Sequence, residues 1–351
     1  MNLMLKGRGA QINPSNKFFS EVRPSNPILF PGENDKPQVS TQYLFVDAKT
    51  ILNKVDSPDV PGDFSLNPYQ GCEHGCVYCY ARNTHPYWGY SAGLDFESKI
   101  MVKQNAPELL DKALSSKSWK STPIMMSGNT DCYQPIERKT MITRKCLEVF
   151  WKHRHPVTLV TKNSLILRDL DILKNLAIHK LVSVAVSINT LDDTLRQRLE
   201  PRTSSINKRI QLVRQLAQHG IPVVVLAAPI IPGLNDHDIL PLVKKLAEAG
   251  ARTVRQLVVR LNGDVAEIFT DWLGKNYPDR EKKVLNKVKS LHKGKLNSSA
   301  FGERMKGSGL IADIIHQQFD LARRLYLMDD TPIEYDLDLY EMMKQKQLSL
   351  F

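Results

Sequence analysis

The chain has 351 residues, of which 42% are apolar and 24% charged, and this balance is typical of a globular protein rather than a disordered or fibrous one. Its formal net charge is +11. Five cysteines, three of them clustered, do not form the disulfide framework of an extracellular domain. The first residues lack the apolar segment of a signal peptide, and the most apolar stretch, residues 221–231, is too short to cross a bilayer. We therefore expect a cytoplasmic protein with no membrane partner.

The first 63 residues are predicted to be irregular, because seven prolines interrupt them and no helical period persists. Near their start, residues 6–10 read Lys-Gly-Arg-Gly-Ala. Backbone amides in such a glycine-rich loop can contact a phosphate or a carboxylate; the alternative is a flexible terminus. Residues 1–63, 64–262 and 263–351 are the three predicted parts of the chain: an irregular segment, a core domain and a basic helical extension.

Residues 67–80 contain three cysteines at a C-x3-C-x2-C spacing. These cysteines are Cys72, Cys76 and Cys79. Three thiolates so spaced can bind three irons of a [4Fe–4S] cube and leave the fourth iron open, whereas electron-carrier clusters usually have four cysteines. Tyr78 precedes the third cysteine, where its ring can lie beside an adenine. A zinc site is the alternative and requires a fourth ligand. The candidates for that ligand are His74, His85 and Cys132.

From residue 64 onward, short apolar strands of the buried parallel type alternate with helical segments. The predicted strands cover residues 65–70, 123–126, 157–160, 181–188, 221–230 and 254–261. Helices are predicted at residues 105–114, 205–220 and 236–249. Six βα units with right-handed crossovers indicate an α/β fold, a partial (β/α)6 barrel of the TIM type. Functional groups then belong at the carboxyl ends of the strands.

Polar residues follow three of these strands directly. After the second strand they are Ser127, Gly128, Asn129 and Asp131. Gly128 allows a ligand to approach the backbone. Lys162 follows the third strand, where it can pair with a carboxylate, and Ser187 ends the fourth, where its hydroxyl can meet a carboxylate or a ribose. The alternatives are an ordinary loop, a surface lysine and a helix-capping serine.

After residue 262 the regular alternation ends, and helices are predicted at residues 265–275, 280–291 and 309–327. A glycine-rich basic loop, residues 294–309, either covers the open side of the barrel or only connects two helices. Residues 275–306 carry ten Lys or Arg and three acidic residues, a net charge of +7. Clustered positive charge attracts polyanions, so nucleic acid contact is one interpretation. A solvated helix face is the other.

The cysteine loop resembles the cluster motif C-x3-C-x-aromatic-C of the radical S-adenosylmethionine (radical SAM) superfamily. The resemblance implies that the open iron binds the amino and carboxylate groups of S-adenosylmethionine (SAM). It also implies reductive cleavage of SAM to a 5′-deoxyadenosyl radical, and hence an external electron donor of the flavodoxin or ferredoxin type. The partial barrel is the fold of this superfamily. The loop that follows the second strand is expected to contact the amino group of SAM.

Within the superfamily the chain is most similar to the spore photoproduct lyase group, and it also resembles a photolyase-like bacterial family. The shared segments are Cys-Val-Tyr-Cys-Tyr and residues 160–162, 187–189, 199–204, 208–210 and 228–230. The resemblance implies that Tyr78, Lys162 and Ser187 line the SAM site, and that Tyr80 takes part in passing a radical.

Two positions depart from the lyase pattern. The hydrogen-donating cysteine of the lyase corresponds here to Gly128, whereas Cys132 follows Asp131. Cys132 is a relocated hydrogen donor, a substrate contact or a buried filler. Arg202 stands where the lyase has glycine, and it can clamp a carboxylate or a phosphate.

These features predict a radical SAM enzyme that abstracts hydrogen from its substrate, for which nucleic acid is the working hypothesis. The enzymatic alternative is modification of a protein or a small molecule. A non-catalytic iron–sulfur or zinc module that binds nucleic acid is the alternative from another class.

Overall fold

The computed structural model describes residues 5–18, 29–30, 38–327 and 331–348. In chain order the strands of these residues are β1 (Leu29–Phe30), β2 (Gln38–Val39), β3 (Gln42–Val46), β4 (Leu52–Lys54), β5 (Phe64–Leu66), β6 (Tyr69–Gln70), β7 (Lys99–Lys103), β8 (Ile124–Met126), β9 (Val157–Thr161), β10 (Val182–Ser187), β11 (Val223–Ile230) and β12 (Thr253–Val258). The α-helices are α1 (Leu94–Ser98), α2 (Ala106–Leu114), α3 (Glu137–Thr140), α4 (Ile142–His153), α5 (Leu170–Ile178), α6 (Asp193–Leu199), α7 (Ile206–Gln218), α8 (Ile239–Glu248), α9 (Val265–Asn276), α10 (Glu281–Leu291), α11 (Leu310–Tyr326) and α12 (Asp338–Leu348). None of these helices is long and apolar enough to cross a membrane.

The central sheet has the strand order β12-β11-β10-β9-β8-β5-β4. Its first six strands are parallel, and β4 pairs with β5 in the antiparallel direction. Valines fill β10, which is buried along its whole length, as expected for a parallel strand covered on both faces. Since β12 and β4 form two free edges, the sheet is an open, partial barrel. The predicted fold class, an α/β fold with six parallel strands, is confirmed.

The first and last predicted strands have different bounds in the structure. The first breaks at Asn67 and Pro68 into β5 and β6, because proline has no amide to continue a ladder. Strand β6 then pairs with β7 in a separate small sheet of order β3-β7-β6. The last strand ends at Val258 instead of residue 261. Strands β1 to β4 also lie within the segment that was expected to be irregular.

The helical extension contains α9, α10 and α11 at the predicted places, and α12 in addition. Residues 294–309, named the strap below, extend from the β12 edge to the β4–β5 connection. The amide of Val258 donates to the carbonyl of Met305 over 3.0 Å, and Arg304 forms an ion pair of 2.6 Å with Asp59. The strap therefore lies across the lateral opening, the gap between the two edge strands, which supports the first of its two interpretations. The three-part division of the chain stays a prediction.

Candidate active site

The cysteine loop connects β6 to a 3-10 helix, Tyr80–Trp88. Cys72 and Cys76 are buried and Cys79 is half-buried. The loop turns at Gly71 and Gly75, whose φ angles of +79° and +68° favour glycine. A Cβ at residue 75 would lie 2.8 Å from Oε2 of Glu97. Both the lack of space and the positive φ therefore disfavour a side chain at this position.

A fully buried ion pair supports the loop from beneath. Arg82 and Glu97 have no solvent exposure, and Nη2 of Arg82 lies 2.5 Å from Oε1 of Glu97. Arg82 also donates through Nε to the carbonyl of Cys76 over 2.9 Å. A charged group bonded to the loop backbone in a water-free environment fixes the loop position. Sequence reasoning missed both residues.

The amino-terminal segment shares this carboxylate. The amides of Gly9 and Ala10 donate to the two oxygens of Glu97 over 3.0 and 2.7 Å. Arg8 donates to the carbonyl of Glu97 over 2.6 Å. A Cβ on Gly9 would overlap the carbonyl oxygen of Gly75. The glycine-rich loop thus contacts a carboxylate through backbone amides, as one interpretation expected, and that carboxylate belongs to the chain itself.

Asp131 connects the loop after β8, the second predicted strand, to the end of β9, the third. Its Oδ1 accepts hydrogen bonds from Tyr133 N (2.9 Å) and Thr161 Oγ1 (2.8 Å), and its Oδ2 from Lys162 N (2.7 Å). Nδ1 of His74 lies 3.2 Å from Oδ2. Although burial acts in the opposite direction on both groups, their attraction lowers the pKa of Asp131 to about 2 and raises the pKa of His74 to about 9. Asp131 therefore positions neighbouring elements, with both oxygens engaged by the protein.

The predicted SAM residues surround one buried ion pair, Glu200 and Arg209. Tyr78 donates its hydroxyl hydrogen to Glu200, and Nη2 of Arg209 lies 2.6 Å from Oε2 of Glu200. Arg209 also donates to the carbonyl of Ser187 over 2.9 Å. The structure thus brings Tyr78, Ser187 and, as shown next, Lys162 around a pair that sequence reasoning missed. A signal existed, because Arg209 falls on the apolar face of α7 beside Ile210.

Lys162 lies among negative or acidic groups. Burial alone lowers the pKa of its ammonium group, but the thiols of Cys76 and Cys79 and the carboxylates of Glu200 and Asp131 together raise it. The side chain is half-buried. Lys162 is therefore a cation that interacts electrostatically with the cysteine loop and with Glu200.

Three side chains hold the loop after β8, and Asn67 makes two of the hydrogen bonds. Oδ1 of Asn67 accepts hydrogen bonds from the amides of Gly128 and Asn129, each over 3.0 Å. Ser127 has a φ of +74°, and its Oγ accepts from the amide of Cys132 over 2.9 Å. Tyr80 donates its hydroxyl hydrogen to the carbonyl of Gly128. The predicted residues Ser127, Gly128, Asn129 and Tyr80 are therefore brought together at the rim.

Two predicted residues lie elsewhere. Cys132 is fully buried in the main hydrophobic core, a placement that supports the buried filler among its three alternatives. Arg202 contacts the chain's own groups: Nη1 lies 3.4 Å from Oε2 of Glu73 and donates to Thr41 Oγ1 over 3.3 Å. Arg202, which was predicted to clamp a carboxylate or a phosphate, thus contacts the carboxylate of Glu73 in the cysteine loop.

The ligand atoms that these residues offer fit an iron–sulfur cluster. Cys72 and Cys79 pack with Ala81 and Phe96 in one small apolar cluster, which limits the access of water to the sulfurs. Lys162 offsets thiolate charge on one side. In the described residues, no group of three or more His, Cys, Asp or Glu side chains is arranged to hold a single metal ion. Of the three zinc candidates, His74 forms an ion pair with Asp131, and His85 shares a hydrogen bond with the carbonyl of Asp95. Cys132 is buried in the core.

Comparisons with known proteins agree with this geometry. The family model described as the Radical SAM superfamily matches residues 66–246. An uncharacterised protein of Mycobacterium tuberculosis is 32% identical over 234 residues, which are 66% of this chain and 69% of the relative. An uncharacterised protein of Methanocaldococcus jannaschii is 31% identical over 70% of this chain and 88% of the relative. A radical SAM Nalpha-GlyT isomerase of Pseudomonas phage M6 is 29% identical over 61% of this chain and 43% of the relative.

Among solved structures, spore photoproduct lyase in complex with dinucleoside spore photoproduct has a similar fold. The TM-score is 0.59 at 17% sequence identity, over 82% of this chain and 80% of that chain. A mutant of that lyase with bound AdoMet gives the same TM-score at 18% identity.

Proposed function

The chain belongs to the radical SAM superfamily and is an enzyme of this type, and from this premise we propose that Cys72, Cys76 and Cys79 hold a [4Fe–4S] cluster whose fourth iron binds SAM. When bound, the cluster and SAM supply a 5′-deoxyadenosyl radical for hydrogen abstraction. The protein positions these groups and sets their electrostatic environment. The observation that carries the proposal is the convergence of Tyr78, Lys162 and Ser187 beside the cysteine loop.

The SAM site is proposed to lie between this loop and the ends of β8, β9 and β10. Lys162 pairs with the SAM carboxylate, since it is a half-buried cation facing Cys76 and Cys79. Tyr78 presents its ring to the adenine while Glu200 holds its hydroxyl. Asp131 keeps Lys162 in place through the backbone amide. Asp131 and Glu200 act by positioning, because both oxygens of each carboxylate are engaged by protein donors.

The substrate is proposed to be a nucleic acid. Support comes from the basic extension, in which Lys282, Lys283, Lys289 and Lys295 are exposed. Support also comes from the complex of the similar lyase with a dinucleoside. The reductant is proposed to be a flavodoxin or ferredoxin, and the cytoplasm the compartment, because a reducing environment preserves free thiols.

The test is anaerobic reconstitution with iron and sulfide, reduction with dithionite, addition of SAM and quantification of 5′-deoxyadenosine. We expect product from the wild type and none from Cys76→Ala. The matched control is Cys146→Ala, which removes a buried cysteine of α4 and should retain product. An intact, reducible cluster without SAM cleavage, even with candidate nucleic acid, protein or small-molecule substrates present, would favour the non-catalytic binding module.

A further inference from the structure

The guanidinium of Arg260 borders the lateral opening. Arg260 lies two residues after the end of β12 and is half-buried. Its Cζ is 5.7 Å from the centre of the Tyr80 ring. Tyr80 directly follows Cys79, so Arg260 lies beside the centre at which the radical chemistry is proposed.

In the described part of the chain, Arg260 shares the carboxylate that attracts it, Asp59, with Arg304. Within the described ranges, Arg260 forms no ion pair with a carboxylate. Asp59 attracts it, but Oδ2 of Asp59 contacts Arg304 at 2.6 Å and Oδ1 accepts from the amide of Gly302 over 2.7 Å. Burial and the neighbouring Arg304 lower the pKa of Arg260. One carboxylate thus faces two guanidinium groups, so the positive charge of Arg260 is only partly offset, and a bound anion would stabilise this half-buried cation.

One exposed aromatic ring, Tyr80, lies beside Arg260, and a second, Phe301, lies beside the neighbouring Arg304. Tyr80 is 43% exposed and Phe301, on the strap, is 59% exposed. Arg304 lies over the Phe301 ring, with its Cζ 4.5 Å from the ring centre. Exposed rings next to a positive group are the surface on which single-stranded nucleic acids bind, since bases stack on the rings and phosphates meet the cations.

We propose that Arg260 binds a phosphate group of a single-stranded nucleic acid substrate and so places a nucleotide beside Tyr80. The inference rests on the proposed function and deepens it by naming the group that is recognised. The carboxylate of SAM is the other anion near this place, but Lys162 already faces the cysteine loop from the β9 side. The two anions are distinguished by separate measurements.

The test uses the reconstituted protein and a short fluorescent single-stranded oligonucleotide, with anisotropy recorded over a series of potassium chloride concentrations. We expect Arg260→Gln to weaken binding about tenfold at low salt and to reduce the salt slope by about one. Arg260→Lys should retain most of the affinity for the oligonucleotide, because lysine keeps the positive charge. The matched control, Arg324→Gln, removes a guanidinium from the exposed side of α11 and should change binding less than about twofold.

SAM binding by equilibrium dialysis gives the second readout, and we expect it to be unchanged in Arg260→Gln. Loss of SAM binding with oligonucleotide binding retained would assign Arg260 to the cofactor site and overturn the proposal. Equal oligonucleotide binding by wild type and Arg260→Gln would also overturn it. If the wild type bound no oligonucleotide at low salt, the nucleic acid substrate and the role of Arg260 would both fall, whereas 5′-deoxyadenosine formation would decide separately whether the radical SAM chemistry stands.

Discussion

The cysteine loop and the strap border the same opening, yet they are held in place by different kinds of contact. Beneath the cysteine loop, Arg82 and Glu97 have no solvent exposure. The strap is held by Arg304 and Asp59, whose side chains are 16% and 11% exposed, and by a far more exposed pair, Lys293 and Glu303. Removing one partner of a buried pair leaves an uncompensated charge, whereas water replaces an exposed partner at little cost.

This difference matches the proposed roles of the two regions. A loop that holds a cluster must keep its ligands in position whether or not a substrate is present, and buried charges bonded to its backbone provide that rigidity. A segment across a substrate opening must allow entry and release, and contacts within reach of water open more readily. The four predictions below compare the two regions, beginning with the largest expected effect.

Arg82→Met should destabilise the protein most, because Glu97 then remains buried without its counter-charge. We expect a loss of about 3–5 kcal/mol in the free energy of unfolding, measured by urea denaturation, and a lower iron content after reconstitution. Arg324→Met, on an exposed helix face, should change stability by less than about 0.5 kcal/mol. If the two variants lost similar amounts of the free energy of unfolding, the contrast between buried and exposed charges would not hold.

Glu200→Gln should cost less, because the amide oxygen still accepts hydrogen bonds while the buried Arg209 loses its counter-charge. The expected loss is about 2 kcal/mol, measured by the same denaturation. SAM affinity should fall as well, since both Tyr78 and Lys162 lose a negative neighbour. If stability and SAM affinity both stayed at wild-type values, Glu200 would not organise the site.

Gly9→Ala should displace the amino-terminal segment from the cysteine loop, because the added Cβ overlaps the carbonyl of Gly75. Arg8 is buried at 7% exposure, so trypsin should cleave after it at least about tenfold faster in the variant, in proportion to the undocked population. Gly7→Ala is the control: the positive φ of Gly7 strains an alanine there, but no atom lies within 4 Å of its Cβ position, so cleavage should rise less than in Gly9→Ala. Equal cleavage rates in the two variants would argue against close packing at Gly9.

Arg304→Gln should have the smallest effect on global unfolding, because its contacts with Asp59 and Ser57 hold only the strap. We expect an unchanged denaturation midpoint and faster amide hydrogen exchange confined to residues 294–309. Lys293→Gln, at a more exposed pair, should accelerate exchange less. A large drop in the denaturation midpoint for Arg304→Gln would show that the strap is part of the cooperative core.

Much of the architecture follows from local sequence patterns. Runs of valine and isoleucine identify buried parallel strands, and their alternation with amphipathic helices requires crossovers and an open or closed barrel. Where a strand is short, the pattern is weaker: the break at Asn67 and Pro68 went unnoticed because the apolar residues on either side continue the run. The small sheet containing β3 and β7 was missed because these two strands pair across more than fifty residues.

The sequence by itself determined the three-cysteine motif, the polar rim and the six parallel strands, because each depends on residues near one another in the chain. Only the tertiary structure decided which polar groups are already occupied. Asp131 and Arg202 read as ligand contacts, yet their partners are Lys162 and Glu73. The role of a buried charge such as Glu97 depends on the groups that folding brings beside it. Those groups, and not the residue type, decide whether the charge is paired.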